Sequence, residues 1–388
     1  MKRGNWGFVS GLALLCLPLV VFSVSCGGNG GDNGDSTGTL NLSLTDQATT
    51  DYKAIYVTIE QVEVHKEGGG GWQVVPLQFE KKTVNLLDLV NGVREELAIA
   101  TLATGHYTQM RLILGDKPDD SLNILSRRHP HANYFIDLSD KWFELKVPSG
   151  FQTGIKIVKG FNINENQTTE LLLDFDATKS IVKAGSSGQW LLKPTIKLLN
   201  TKECSIISGN AVQGGVLVSA QVYDATPNLA EELRVEVEAA TVTDASGNYK
   251  LFLSPGSYTL VGYKDGFFPS FETAKFVTEA GKTYTKNFSL SASSTGTLIS
   301  GPITISGADQ EQYATISIRQ DATVSGNTEQ IEVKSRNVAN GGSLTDTILP
   351  AANYTYTAVI STYGKTTQVF EPFTISVTPP TDLGPVVF

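Results

Sequence analysis

The sequence is poor in cysteine, and this scarcity limits how the protein can be stabilised. Only three of its 388 residues are cysteines. A small exported domain that relies on disulfides needs several cysteines in pairs. We therefore expect the stability of this chain to come from hydrophobic cores. Its length is sufficient for two or three domains.

Positive charge is also scarce. The chain carries 30 Lys and Arg against 39 Asp and Glu. Removal of an N-terminal leader containing Lys2 and Arg3 would leave 28 against 39, a net charge of −11. Nucleic-acid binding requires a basic surface that replaces the counterions of the phosphates. The composition therefore predicts no nucleic-acid partner.

Residue groupings typical of enzymes are missing. The chain has four histidines and no G-x-S-x-G, H-E-x-x-H or C-x-x-C pattern. "AGKTYT" ends like a phosphate-binding loop, but Phe276 stands where the first glycine belongs. "TDASGNY" and "GGDNGDS" lack the acidic series of a calcium loop. We predict no cofactor and no catalysis, although buried carboxylates that converge in the fold would favour an enzyme.

Long amphipathic helical periods are absent, and short runs of alternating apolar residues take their place. Such runs include Leu40, Leu42 and Leu44, then Ile55, Val57 and Ile59, and later Leu171, Leu173 and Phe175. The fold class predicted is all-β, with tandem β-sandwiches of the immunoglobulin or transthyretin kind. The segment 84–90, "VNLLDLV", fits either a strand or a helical turn.

The second of these runs changes phase. After Ile59 the apolar residues continue at Val62 and Val64, one position out of register. One extra residue reverses the buried face of a strand. We therefore predict a β-bulge near Glu60 and Gln61.

The N-terminus has the form of an export signal. A positive start is followed by the apolar stretch Gly11–Phe22, which is too short to span a bilayer as a helix. "SVSC" then resembles a bacterial lipobox, with Ser23 where leucine is usual, and this resemblance implies lipidation of Cys26. The alternative is an ordinary signal peptide with a chance cysteine. Because Gly27 rather than Asp follows, the resemblance implies an outer-membrane location.

Three folded regions are predicted after this signal. Residues 1–25 are assigned to the lipoprotein signal peptide and 26–38 to the lipidated cysteine with a tether of Gly, Asn and Asp, which cannot bury enough apolar surface to fold. The N-terminal region is placed at 39–200, the central region at 206–292 and the C-terminal region at 297–388.

Several segments of the N-terminal region together carry a family resemblance. They are "LNLSLTDQAT", "VTIEQVEVH", "VNLLDLVNGV", "LATGHYTQMRLIL", "LKVPSGFQTGIKIVKGFNI", "LLLDFDATKSIVKAG" and "WLLKPTIKL". In this order they resemble DUF4382, a bacterial lipoprotein domain of unknown function. The resemblance implies a β-sandwich on a cell envelope and supplies no catalytic residues.

The central region resembles a carboxypeptidase regulatory-like module with a transthyretin-type sandwich, through "TVTDASGNYKLFLSPGSYTLVGYKDGFFP". Alternation on both sides of Pro255–Gly256 predicts a hairpin closed by a type II turn, with Gly256 at positive φ. Further strands are predicted at 234–243 and 283–290. The C-terminal region is interpreted as a degenerate repeat of the central one.

A short sequence motif recurs in all three regions. An apolar strand end, a turn of small residues and a tyrosine precede an alternating strand, at Tyr107, Tyr258 and Tyr354. We interpret these tyrosines as structural corner residues whose hydroxyl groups bond near a turn. They are not predicted to form an active site.

One pair of histidines is close enough in sequence to suggest a metal. His129 and His131 are separated by a proline, and Asp137 and Asp140 follow. Imidazoles joined by carboxylates can bind zinc or copper. The alternative is that both histidines are exposed loop residues.

Aromatic residues near glycine and polar residues suggest carbohydrate binding. The candidates are Trp72, Trp142 and Phe143 in the N-terminal region and Phe267 and Phe268 in the central region. Sugar sites on β-sandwiches use exposed aromatic rings, whereas packing in the core is the alternative role for each.

These observations lead to one main functional hypothesis. We predict a non-catalytic, lipid-anchored cell-envelope protein that acts in binding, adhesion or scaffolding, on the periplasmic face of the outer membrane or the cell surface. A carbohydrate-binding surface module is the first alternative, and an enzyme of unrecognised type is the second. The expected partners are the membrane, through the lipid, and a polysaccharide or another envelope protein. Cys204 is expected to be a small buried residue rather than a thiol for intermolecular pairing.

Overall fold

The structure is a computed structural model. It describes residues 36–47, 49, 51–148, 153–184, 189–293, 299–300, 302–305, 313–341, 349, 355–362, 364–374 and 381–388. Cys26 and Tyr354 lie outside these residues. Residues 36–388 make up one compact unit.

The N-terminal region is built from two sheets in the described residues. Its strands are β1 (Thr37–Gln47), β2 (Ala54–Lys66), β3 (Trp72–Val75), β4 (Lys82–Asn85), β5 (Glu95–Ala103), β6 (Gly105–Leu114), β7 (Tyr134–Ile136), β8 (Trp142–Lys146), β9 (Ile155–Ile157), β10 (Phe161–Ile163), β11 (Thr168–Asp176), β12 (Ile181–Ala184), β13 (Gln189–Leu192) and β14 (Ile196–Asn200). A 4-stranded sheet has the order β14-β11-β1-β5. A 10-stranded sheet has the order β10-β6-β2-β7-β8-β13-β12, with β3 and β4 paired to β2 and β9 paired to β6.

The predicted alternation places the core between these two sheets. Leu40, Leu42 and Leu44 of β1 are fully buried, and β11 runs parallel to β1 with Leu42 opposite Leu171 and Leu44 opposite Leu173. The opposing sheet contributes the apolar side chains of β2 to the same core. The all-β sandwich fold predicted from the sequence is confirmed here.

The predicted bulge in β2 is also confirmed. The pairing of β2 with β6 shifts register between Ile59 and Gln61, and the apolar residues on both sides of the shift are buried in one core. The bulge therefore keeps the core face continuous across the change of phase. The ambiguous segment "VNLLDLV" is divided, because β4 ends at Asn85 and a 3₁₀ helix spans Leu86–Asp88.

Helical structure is limited to short pieces in the described residues. Helix α1 spans Ala177–Ser180, with the Asp176 side chain accepting a hydrogen bond from the Lys179 backbone at its start. A second 3₁₀ helix spans Glu231–Leu233 in the central region. Across the described part of the chain, no helix is long and apolar enough to cross a membrane.

The central region also contains two main sheets. Its strands are β15 (Ser205–Asn210), β16 (Leu217–Tyr223), β17 (Val235–Val242), β18 (Asn248–Leu253), β19 (Gly256–Tyr263), β20 (Ser270–Phe271), β21 (Phe276–Thr278) and β22 (Thr283–Thr285). The described strands form a 3-stranded sheet of order β18-β15-β22 and a 5-stranded sheet of order β17-β16-β19-β20, with β21 paired to β19. The strand predicted at 283–290 is thus much shorter than expected.

The hairpin predicted around Pro255 is wrong. Strand β18 pairs with β15, whereas β19 pairs with β16, so the chain crosses from one sheet to the other at this point. Alternation on both sides of a turn is the same for a hairpin and for a crossing between sheets, since each strand buries one face in either case. Strands β5 and β6 of the N-terminal region likewise belong to different sheets.

The type II turn is also wrong, because Gly256 is not among the glycines with positive φ. A Cβ at this position would lie 2.6 Å from the hydroxyl oxygen of Tyr258. Glycine is therefore required here for the close approach of the tyrosine ring and not for a left-handed backbone.

The predicted tyrosine corners are confirmed at two of the three positions. The hydroxyl of Tyr107 donates to the carbonyl of Ala103 at 3.0 Å, and that of Tyr258 donates to the carbonyl of Ser254 at 2.7 Å. In both places the chain passes from one sheet to the other, and the tyrosine hydroxyl bonds a carbonyl four residues earlier, on the other side of this passage. Burial raises the pKa of Tyr258 to about 12.

The C-terminal region is centred on one 4-stranded sheet in the described residues, of order β26-β25-β27-β28. Its strands are β23 (Ile299–Ser300), β24 (Ile303–Thr304), β25 (Tyr313–Val324), β26 (Asn327–Ala339), β27 (Thr355–Ser361), β28 (Gln368–Thr374), β29 (Thr381–Asp382) and β30 (Val386–Val387). Strands β23 and β24 pair in parallel with β29 and β30, respectively.

Side-chain bonds join the three regions. The Lys197 ammonium donates to the backbone carbonyl of Glu238 at 2.7 Å, which links the N-terminal and central regions. The amide of Gln221 donates to the carbonyl of Glu332 at 2.7 Å and accepts from its backbone N–H at 2.8 Å. These two bonds link the central and C-terminal regions, and they resemble the reciprocal pair of backbone hydrogen bonds between neighbouring antiparallel strands.

Candidate functional site

The candidate residues of the N-terminal region fall mainly on one side of the 10-stranded sheet. Since Val57 and Ile59 of β2 point into the core, Tyr56 and Thr58 lie on the opposite side. We call this side the outward face. The loop between β6 and β7 packs over part of it, with the Ile124 backbone donating to the Tyr56 hydroxyl at 2.8 Å.

His129 is a buried member of this loop. Its Nε2 lies 3.0 Å from the Ser121 hydroxyl, and its Nδ1 lies 2.8 Å from the Tyr134 hydroxyl. Burial lowers the pKa of His129 and favours the neutral ring, although the Asp119 carboxylate opposes this shift. Both ring nitrogens therefore have protein partners, and His129 holds the loop on the outward face.

His131 has a different environment. Its Nδ1 lies 3.5 Å from a carboxylate oxygen of Glu144, and its ring centroid is 5.1 Å from that of Trp142. The two predicted carboxylate partners are engaged elsewhere, since Asp137 accepts from the Lys141 backbone N–H and Asp140 pairs with Lys53.

The residues proposed as metal ligands are thus not brought together. In the described ranges, no group of three or more His, Cys, Asp and Glu side chains is placed to hold a metal ion. The alternative of two exposed loop residues is wrong for His129, which is only 8% exposed, and describes the half-buried His131 only in part.

Trp142 is the most accessible of the sequence-selected aromatics. It is opposite Ile136 in the β7–β8 pair, and 49% of its surface is exposed. Together with His131 and Glu144 it forms a small patch on the outward face, which we call the Trp142 patch. An exposed ring beside an imidazole and a carboxylate can stack on a sugar and bond its hydroxyl groups.

Phe143 points to the other side of the same strand. Its ring centroid is 5.1 Å from that of Phe135 and 6.0 Å from that of Trp190, and it packs against the main core. Phe143 therefore supports the strand that carries Trp142 and does not itself form part of an exposed site.

Trp72 lies on the outward face beyond the bulge. The Arg111 guanidinium carbon sits 4.4 Å from its ring centroid, and Arg111 also pairs with Glu63. The His65 ring centroid is 5.6 Å away. This half-buried indole is thus packed into a charged row of side chains along β2, β3 and β6.

The two phenylalanines of the central region are half-buried. Phe267 packs against the central core, with the Lys264 ammonium 5.6 Å from its ring centroid. The backbone N–H of Phe268 donates to the carbonyl of Ser291 at 2.9 Å. Both positions agree with a packing role more closely than with an open sugar platform.

Cys204 is a buried residue, as expected from the sequence. Only 4% of it is exposed, and it packs with Leu172, Leu199 and Phe252 between the N-terminal and central regions. Burial raises the pKa of its thiol to about 11, which keeps the thiol protonated and unreactive at neutral pH.

Sequence reasoning missed a group of buried carboxylates. Asp46 lies one residue before the end of β1, and its carboxylate interacts with those of Asp174 and Asp176 of β11, because the parallel register places Thr45 opposite Asp174 and Gln47 opposite Asp176. All three aspartates are buried. The available signal was the pair of segments "LTDQ" and "DFDA", where acidic residues follow runs of alternating leucine.

These carboxylates occupy unequal environments. Burial and the nearby charges of Asp174 and Asp176 raise the pKa of Asp46, and one oxygen of Asp46 has no hydrogen-bond partner in the described structure. Burial and Asp176 raise the pKa of Asp174 to about 7, opposed by the charge of Lys197. Asp176 caps α1 and lies 3.3 Å from the Lys179 ammonium. Lys197 and Lys179 thus compensate part of the negative charge. Buried carboxylates that converge in this way are the feature that favours the enzyme alternative.

Comparison with known families identifies the N-terminal part of the chain. Residues 37–194 match DUF4382, a domain of unknown function. The resemblance seen in the sequence of this region is therefore confirmed. The match covers less than half of the chain, and no curated protein matches it.

Several solved structures share β-rich segments with the chain at low similarity. The Bacillus anthracis TIE protein is 15% identical, over 91% of this chain and 50% of that one, with a TM-score of 0.17. A double mutant of the shaft pilin SpaA from Lactobacillus rhamnosus GG is 10% identical over 48% and 96%, with a TM-score of 0.18. The Streptococcal ancillary pilin is 9% identical over 90% and 98%, with a TM-score of 0.17. The chain spans about half the length of the TIE protein, and at such TM-scores these likenesses carry no argument about function.

Proposed function

We propose that the protein is a non-catalytic, lipid-anchored cell-envelope protein that acts in binding, adhesion or scaffolding. The observation that carries this proposal is the continuous joining of the three regions. Lys197 bonds Glu238 across one junction, and Gln221 pairs with Glu332 across the other. Such bonds would keep the three regions in a defined orientation relative to one another, as a scaffold requires.

The anchor belongs to the same proposal. Cys26 of the "SVSC" segment would carry the lipid, and strand β1 begins at Thr37. A Gly-rich coil of the intervening length has a root-mean-square reach of about 20 Å. Two or three acyl chains on one residue make dissociation from a bilayer negligible.

Metabolic labelling with an alkyne fatty acid tests this anchor. The wild-type protein should take up label and sediment with membranes, whereas Cys26→Ala should lose the label and appear in the soluble fraction. Cys16→Ala is the matched control and should behave like the wild type. An unlabelled mature chain that leaves the cells freely would contradict the proposal.

A carbohydrate-binding function is the second candidate, and the exposure of Trp142 beside His131 and Glu144 favours it. Binding of the purified chain to a panel of bacterial and plant polysaccharides should weaken at least tenfold in Trp142→Ala, since the stacking of a planar ligand group on an aromatic side chain contributes about 1–3 kcal/mol in nucleic-acid complexes. Val158→Ala removes another exposed apolar side chain and should leave binding unchanged. Absence of binding to every polysaccharide would remove this candidate.

A further inference from the structure

A cleft between the central and C-terminal regions has the size of a small-molecule site. Its volume is ≈360 Å³, and it lies between β17 with its preceding 3₁₀ helix and strands β25, β26 and β27. Binding sites for small molecules typically measure about 300–1,000 Å³. Valine and leucine side chains share the wall with the hydroxyl groups of Thr315, Ser335 and Ser361.

The most unusual wall residue is Arg319, a guanidinium with only 1% of its residue surface exposed. Its Nε donates to the Ser317 hydroxyl at 3.0 Å, and its Nη1 donates to the Glu231 carbonyl at 2.7 Å. These bonds use two of the five N–H groups that an arginine carries. Among the described residues, Arg319 forms no ion pair, so its charge is left without a direct carboxylate partner.

The carboxylates of Glu332, Glu231 and Glu232 lie near Arg319 without a direct ion pair and favour its charged form. Ser317, which accepts from the guanidinium, donates in turn to a carboxylate oxygen of Glu332 at 2.6 Å. A buried charge without a direct partner is unfavourable, and arginine cannot lose its proton to relieve it. A planar guanidinium with spare donors beside a cleft is well suited to bind a carboxylate.

The same cleft also carries free negative charge. Glu236 is exposed on β17 and forms no hydrogen bond or ion pair in the described structure, while Glu232 accepts from the Thr367 hydroxyl. Lys179, the second positive group of the wall, is engaged with Asp176 at 3.3 Å. In the described structure, the cleft groups without a direct hydrogen bond or ion pair are therefore the remaining N–H donors of Arg319 and the Glu236 carboxylate. The Glu236 charge is partly compensated by that of Lys179.

We propose that this cleft binds a small zwitterion, a free amino acid or a short peptide with both termini free. Its carboxylate pairs with Arg319, and its ammonium pairs with Glu236. The hydroxyl groups bond the backbone of the ligand, and the apolar wall contacts its side chains. This site is separate from the lipid anchor and from the Trp142 patch. The result of its test therefore does not depend on whether the proposed function is correct.

Calorimetric titration of the purified full-length chain with three related probes tests the proposal. Alanyl-alanine carries both charges, N-acetyl-alanyl-alanine carries only the carboxylate, and alanyl-alanine amide carries only the ammonium. Alanyl-alanine should bind, and each blocked form should bind at least tenfold more weakly, because it lacks one of the two charge-assisted contacts. Absence of binding by alanyl-alanine, or equal binding of a blocked form, would overturn the proposal.

Substitutions identify the groups involved. Glu236→Gln removes an exposed charge without disturbing the core, and it should weaken alanyl-alanine at least tenfold while leaving the N-acetylated probe unchanged. Arg319→Lys should weaken both of these probes. Glu165→Gln, an exposed change in the N-terminal region, is the control and should have no effect. Unchanged affinity in Glu236→Gln would overturn the assignment even if Arg319→Lys fails to fold.

Discussion

The junctions that the central region forms with its two neighbouring regions are built from opposite charges. The junction of the N-terminal and central regions has buried carboxylates near its centre, with Asp174 beside Lys197 and Lys197 bonded to Glu238. The junction of the central and C-terminal regions has a buried guanidinium, with Arg319 bonded to the Glu231 carbonyl. Both junctions therefore place ionised side chains where solvent is largely excluded.

The difference lies in how each charge can be relieved. A buried carboxylate can take up a proton within the ordinary pH range, which removes its desolvation penalty. A guanidinium keeps its charge at every such pH, so the surrounding protein must supply fixed acceptors. We therefore expect the acidic junction to respond to pH and the Arg319 junction to respond to the loss of individual hydrogen bonds.

Loss of Arg319 should have the largest destabilising effect. Arg319→Met removes the bonds to Ser317 and to the Glu231 carbonyl and leaves both groups buried without their partner. We expect the free energy of unfolding to fall by about 3 kcal/mol, as for other buried, charge-assisted bonds. Urea unfolding followed by tryptophan fluorescence measures this change.

Arg128→Met is the control for this substitution. The Arg128 side chain is 79% exposed, and its ion pair with Asp120 lies on the surface. Such pairs contribute at most about 1 kcal/mol. A loss in Arg319→Met no greater than that in Arg128→Met would mean that the guanidinium does not hold this junction together.

Neutralising Asp174 should have an effect of similar size and the opposite sign. Because the pKa of Asp174 is raised to about 7 in the folded chain, the folded state binds more protons than the unfolded state between pH 4 and pH 7. Its contribution to stability therefore falls as the pH rises through this range and remains unfavourable above it. Because one pKa unit corresponds to about 1.4 kcal/mol, Asp174→Asn should stabilise the protein at pH 8 by about 4 kcal/mol and change little at pH 4.

Thermal unfolding across this pH range tests the prediction. Asp120→Asn, at a side chain that is 99% exposed, should leave the pH profile unchanged. A profile of Asp174→Asn parallel to that of the wild type would show that this carboxylate does not make the acidic junction pH-dependent.

The fold class could be predicted because alternation is a local property. The apolar runs in β1, β2 and β11 each specify one buried face, and the change of phase after Ile59 specified the bulge. The tyrosine corners could also be predicted, since the hydroxyl groups of Tyr107 and Tyr258 donate to carbonyls only four residues away. The pairing of strands could not be predicted in this way, because β18 and β19 show the same alternation whether they join one sheet or two.

The candidate sites depended on long-range neighbours and were harder to predict. His129 and His131 are close in sequence, yet their surroundings differ because Tyr134 and Ser121 enclose the first while Trp142 and Glu144 flank the second. The buried aspartates were missed for the same reason, since only the parallel pairing of β1 with β11 brings residues so far apart in sequence together.

Loss of the Lys197 side chain should have the smallest effect. This substitution distinguishes the hydrogen bonds of Lys197 to Glu238 from its electrostatic compensation of Asp174 at the acidic junction. Lys197→Met removes the bonds to the carbonyl and carboxylate of Glu238. The side chain is 31% exposed, so the free energy of unfolding should fall by only about 1 kcal/mol at pH 5. At pH 8 the loss should be greater, because Lys197 also lowers the pKa of Asp174 and its removal leaves that carboxylate less compensated. In Asp174→Asn this extra loss should vanish, so equal effects of Lys197→Met at pH 8 in both backgrounds would contradict the coupling of the two residues.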